Sequence, residues 1–108
     1  HSGDAIAYDG YAQGVAGLPP AQTAILAVNG RDAWREAQDI KGNFFPEEAA
    51  ELAMQMGWTA VLAGHNDLYP YNALPEDRIH ALPSIFPSAP PFIFPRVGEP
   101  ILLPYRMP

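Results

Sequence analysis

Apolar positions along the chain fall into distinct patterns. Thr23-Ala24-Ile25-Leu26-Ala27-Val28 is a short apolar run that stops at Asn29-Gly30, which predicts a buried strand and then a turn. Trp58 to Ala63 is a second such run, stopped by Gly64 and His65-Asn66-Asp67. Between them, Asp32 to Ile40 has helical spacing. It predicts a helix with Trp34 and Ile40 as buried anchors, Asn29 as a candidate cap, and the pairs Asp32/Glu36 and Arg35/Asp39 on a solvated side. Pro46 to Met56 gives the clearest helix. Proline and two acids open it, Ala49, Leu52, Ala53 and Met56 make one apolar stripe, and Gly57 stands at the left-handed cap. A third short helix is expected over Glu76 to Leu82, led in by Pro75.

The flanks read differently. Residues 1–22 carry Gly3, Gly10, Gly14, Gly17 and Pro19-Pro20, which predicts a flexible or loosely packed segment pinned by Tyr8 and Tyr11. The glycine spacing has a faint look of a dinucleotide-binding turn, but no convincing strand precedes it. From Pro83 to Pro108 the chain holds 8 of its 13 prolines, interleaved with Ile85, Phe86, Phe92, Phe94, Ile101, Leu103 and Tyr105. Proline removes backbone donors and biases its predecessor to extended geometry, so no helix is expected here. A segment this apolar is no solvated linker either. It predicts an extended arm, with short edge strands at Phe92 to Phe94 and Ile101 to Leu103, and with Phe92, Phe94, Ile101 and Leu103 largely buried. The expected architecture is therefore a small two-layer α+β domain: residues 1–22 as a loose segment, 23–82 as the body and 83–108 as a Pro-rich arm.

Composition narrows the chemistry. The 108 residues are 48% hydrophobic and 17% charged, which is globular rather than disordered. With no cysteine there is no disulfide, thiolate nucleophile or zinc-thiolate site. Lys41 is the single lysine, and no Ser lies in a nucleophile elbow or a phosphate-binding loop. Six dispersed basic residues against twelve acids give a net charge of −6, so neither nucleic acid nor an anionic membrane is an expected partner. No long apolar run and no signal-peptide pattern are visible. A soluble chain of unknown compartment is expected.

Few residues have the spacing of a site. His65-x-Asp67 with His80 further on matches the ligand set of a 2-His-1-carboxylate metal centre, because alternate residues at a strand end point the same way. The ordinary alternative is a turn at Asn66-Asp67 with two surface histidines. Glu47, Glu48 and Glu51 could divide acid and base roles, but their place at a helix start makes solvated dipole partners the default. Tyr69 and Tyr71 could line an aromatic pocket or simply pack a loop.

The reading that follows is a non-enzymatic assembly or accessory protein with no cofactor. Its arm would dock on a second copy or on a larger assembly through Phe86, Phe92, Phe94, Ile101, Leu103 and Tyr105. The alternative is a small ligand-binding domain or enzyme with a pocket near Tyr69 and Tyr71, and with a divalent metal at His65, Asp67 and His80.

Overall fold

The computed structural model describes residues 1–67 and 69–107; Leu68 and Pro108, the last residue of the expected arm, lie outside them. The two apolar runs form strands β1 (Thr23–Ala27) and β2 (Ala60–Gly64), and Phe92–Ile93 adds β3. All pair in parallel in the order β1-β2-β3. Parallel neighbours cannot be joined by a tight turn, so the chain leaves the sheet between strands and its helices supply the covering layer. Among the described residues, five α-helices and this sheet make a mixed α and β domain.

Strand alternation decides which side chains meet those helices. Ala24 and Leu26 of β1 stand beside Val61 and Ala63 of β2, and all four are buried. Phe92 aligns with Val61 and packs against the same cluster. The opposite row, Ile25, Leu62 and Ile93, crosses all three strands in register and lies outside the core.

Helix α3 (Pro46–Met56) has the span that its periodicity predicts, with Leu52 and Ala53 buried and Gly57 left-handed at φ 67°. Trp58 is buried where the chain turns into β2. Three other expectations are corrected. Helix α2 is only Ala33–Ala37, and its cap is Asp32, whose carboxylate accepts the Arg35 N–H at 2.8 Å; Asn29 does not cap it. That cap sets the helix phase so that Arg35 turns inward and Trp34 stands 59% exposed rather than anchoring the core. The third helix splits into α4 (Glu76–His80) and α5 (Leu82–Ile85). Pro83 lies within α5 because a first helical turn needs no proline N–H, so the arm is not free of helix.

The first 22 residues contain α1 (Tyr11–Ala16). Tyr11 meets Phe44 edge-on at 5.3 Å, and Ala12 and Val15 pack on the same core. Burial, and then neighbouring Tyr8, push the Tyr11 phenol up. At the other end, Phe86, Phe92 and Phe94 also pack against the core. Beyond Phe94 the described residues form no helix or strand, so the edge strand expected at Ile101 to Leu103 is absent. Prolines at 100 and 104 bracket that stretch and interrupt its donors.

The start of α3 is fastened by charge. Glu48 accepts the Phe45 N–H at 2.8 Å and takes both Arg31 guanidinium nitrogens at 2.7 and 2.9 Å, while that guanidinium lies 4.2 Å from the Phe45 ring centre. Glu48 is thus half-buried and bonded, not a solvated dipole partner; Glu47 pairs with Arg78 at 3.0 Å. The Arg31 hydrogen bonds hold the Glu48 carboxyl below its usual range against the cost of burial, with the Phe45 N–H adding to them. The backbone and side-chain bonds from Arg35 lower Asp32 likewise. A carboxyl depressed in the folded state contributes stability above its unfolded value, about 4 for these two groups, and loses it as pH falls through the folded value. Melting temperature should therefore be flat above about pH 5 and fall as pH drops below about 4. Glu48→Gln should lose about 1 kcal/mol at pH 7 and flatten the acid limb, as read by circular-dichroism melts from pH 7 to 2.5.

Candidate functional site

The carboxyl ends of β1 and β2 open onto a group of amide, charged and imidazole side chains. In open parallel sheets this is where crevices for ligands form. After β1 the chain continues through Val28 and Asn29, both fully buried. Asn29 Nδ2 donates to the Asn72 carbonyl at 3.2 Å and to Asn72 Oδ1 at 3.0 Å. Arg35, 5% exposed, adds the decisive bonds. Its Nη1 donates to the Asn29 carbonyl at 3.0 Å and to Asn72 Oδ1 at 2.9 Å, and its Nε to Asp32 at 2.7 Å. Asn29 Oδ1 is buried with no donor among the described residues.

This network orients Asn72 through its oxygen, and Asn72 lines a cleft of about 270 Å³ with Asp4, Lys41, Gly42, Asn43, His65 and Tyr69. Asn43 Nδ2 donates to the Ala5 carbonyl at 3.1 Å, which ties the N-terminal segment to the rim. Gly42 permits the floor: a Cβ there would stand 2.0 Å from the Gly30 carbonyl oxygen. Two non-glycine residues adopt left-handed backbone in this region, Asp39 at φ 57° and His65 at φ 60°. His65 follows the last residue of β2, and its Nε2 lies 3.3 Å from Asp4 Oδ1. An ammonium, an imidazole steered by a carboxylate, a phenol and an amide are groups that bind a small polar molecule. The cleft has no hydroxyl or thiol nucleophile of the aliphatic kind.

The proposed metal ligands do not converge. β2 ends at Gly64, so His65-Asn66-Asp67 form a bend rather than a strand, and alternation no longer brings residues 65 and 67 to one side. His65 turns to Asp4. His80 closes α4, its ring 5.8 Å from that of Phe94 and its Nε2 3.7 Å from Glu76. Among the described residues no three His, Asp or Glu side chains are grouped to hold a metal ion. Tyr69 and Tyr71 stack on each other at 5.4 Å, both about half exposed, and only Tyr69 reaches the cleft.

The six arm residues divide. Phe86, Phe92 and Phe94 pack on the chain's own core, and Ile101 is half-buried. Leu103 and Tyr105 are exposed, as are Val97, Leu102 and Met107. The arm is fastened near its end. Thr59 Oγ1 donates to the Pro104 carbonyl at 3.0 Å, and the Gln22 side-chain amide both donates to the Arg106 carbonyl at 2.9 Å and accepts its N–H at 2.7 Å. Gln22 thereby substitutes for a neighbouring strand.

No protein-family model matches the chain, and no curated protein or solved structure matches it either. No helix among the described residues is long and apolar enough to cross a membrane.

Sequence reasoning missed Arg35, Asn72, Asn43 and Asp4. The one signal on offer was Asn29-Gly30 directly after an apolar run, which reads equally as a turn. Arg35→Met would leave the Asn29 carbonyl and Asn72 Oδ1 without their charged donor and should cost about 2–5 kcal/mol in urea unfolding. Arg35→Lys should recover only part of this, because an ammonium lacks the planar fork. A loss below about 0.5 kcal/mol for Arg35→Met would show that the network does not hold the two ends together.

Proposed function

We propose that this chain is a non-enzymatic assembly or accessory module that docks on a neighbouring subunit through its Pro-rich apolar arm. The observation carrying the reading is the exposure of the distal arm: Val97 and Leu102 are essentially bare, and Met107, Tyr105 and Leu103 are exposed beside them. Five large exposed apolar side chains within eleven residues of chain are an unusual surface for solvent alone and suit a contact with another molecule. Since Phe86, Phe92 and Phe94 serve the chain's own core, the docking set reduces to Ile101, Leu103 and Tyr105, joined by Val97, Leu102 and Met107. Charge favours a copy of this chain as partner. Residues 31–80 hold four basic and nine acidic side chains, whereas the arm has Arg96 and Arg106 against Glu99. Light scattering of the full chain at micromolar concentration should give at least twice the 11.7 kDa monomer mass. Leu102→Glu/Leu103→Glu should return it to monomer with an unchanged melting temperature. A full chain that stays monomeric at 200 μM and captures no partner through the arm removes this reading.

The polar cleft favours a second reading, a small-molecule binding domain. Its basis is the buried Arg35 network holding Asn72 at a cleft that also receives Lys41, His65 and Tyr69. A small hydroxylated carboxylate suits those donors. Titration with lactate and with inorganic phosphate, followed by amide NMR, should shift residues 41–43, 65 and 72 together. Lys41→Ala should abolish the shift. Perturbation spread over the whole surface would overturn it.

A further inference from the structure

Resting on the reading of the polar cleft as a small-molecule site, we infer that its ligand is a zwitterion of the α-amino acid class. The ligand carboxylate would meet Lys41 and Asn72, and its ammonium would meet Asp4 and Asn43.

The donors follow from what the buried network leaves over. Asn72 Oδ1 accepts from both Asn29 Nδ2 and Arg35 Nη1, so the amide is fixed with its oxygen toward that network. Its Nδ2 donates to nothing among the described residues, and Asn72 lines the cleft, so N–H is what it offers there. Lys41 lines the same cleft and pairs with no carboxylate among the described residues. An ammonium together with an amide N–H suits a carboxylate.

The acceptors are the part that a simple anion would leave unused. Asn43 is only 4% exposed. Its Nδ2 donates to the Ala5 carbonyl at 3.1 Å, its backbone N–H to the Gly30 carbonyl at 2.9 Å, and its carbonyl accepts from Arg31 at 2.9 Å. Oδ1 is then the one group left without a partner among the described residues, on a buried side chain that lines the cleft. An oxygen in that position is costly until a donor reaches it. Asp4 adds a full negative charge to the same cleft. It lies 3.3 Å from His65 Nε2, and no lysine or arginine among the described residues pairs with it. Its place is set on both sides: the Ser2 N–H donates to the Ile25 carbonyl at 2.9 Å, and the Ala5 carbonyl accepts from Asn43. A purely anionic ligand is repelled by Asp4. A positive group with N–H donors satisfies Asp4 and Asn43 Oδ1 together.

One cleft of about 270 Å³ therefore holds a cation and an anion that do not pair with each other, each accompanied by an amide of matching sense. Sites for drug-sized molecules start at about 300 Å³, so the occupant is smaller than those. A small α-amino acid carries both charges on a single carbon and fits that description.

L-Alanine and L-lactate share a carboxylate and a carbon skeleton and differ only in an ammonium or a hydroxyl at C2. Each would be titrated into the full chain at pH 7 and followed by amide NMR. Alanine should shift residues 41–43, 65 and 72 with a dissociation constant about tenfold below that of lactate, the worth of one charge-assisted contact. Asp4→Asn, at a side chain 83% exposed, should erase this preference and leave the melting temperature unchanged. Glu51→Gln removes the same charge from an exposed position on α3 outside the cleft and should keep the preference. Three results overturn the zwitterion while leaving a small-molecule site standing: equal affinities, a preference that survives Asp4→Asn, or one that Glu51→Gln also erases. Absence of a localised shift with either ligand overturns both.

Discussion

The guanidinium of Arg35 ties together three pieces of chain, two of which, Asn29 and Asn72, also bond to each other directly. Asn29 follows β1, Asp32 starts α2, and Asn72 belongs to the short 3-10 turn Pro70–Asn72 after β2. Two parallel strands end side by side, and the chain leaves each of them in a different direction. Their exits need a polar tie that reaches several acceptors at once in a dry place. A planar fork with five donors does this where a point charge would not. The position of α2, the exposure of Trp34 and the lining of the cleft all follow from that tie.

What was legible in the sequence tracks how local the cause is. Helix α3 was legible because its proline start, apolar stripe and glycine stop are all written within twelve consecutive residues. Both long strands were legible as apolar runs, with ends shifted by one or two residues. Helix α2 was misphased because a capping aspartate outweighs the pull of one tryptophan, and because a buried arginine looks like a surface one until its partners are in place. Helix α1 was hidden by glycine and alanine, whose helix forms only against Phe44 and α3. The metal spacing is not realised because β2 stops before His65 and because His80, at the end of α4, lies beside Phe94 and Glu76. In the candidate site only His65 and Tyr69 had been singled out. Asn72, Asn43 and Asp4 are held there by long-range contacts to Arg35, Ala5 and His65 that no local pattern encodes.

The molecule separates its two candidate surfaces along the strand direction. The carboxyl ends present charged and amide groups on a cleft floored by Gly42. The amino ends present Gln22, Thr59, Trp58 and the apolar edge of β1, where the arm is fastened. A small sheet has room for this because its groups are directional: backbone carbonyls and amides run out at opposite ends, and each end recruits the side chains that complete it. The row of Ile25, Leu62 and Ile93 crosses the sheet between the two ends, on the face that the core does not use.

The sheet order carries a kinetic consequence. Thr23 meets Ala60, and Val61 meets Phe92, so neither strand pair contains a hairpin that could zip from a turn. Each pairing must close a long loop before any ladder bond rewards it, which places the entropic cost early on the route to the native state. The α3 segment, with its proline start and glycine stop, carries the most local signals of any element and presents Ala49, Leu52 and Ala53 to the core that the strands share.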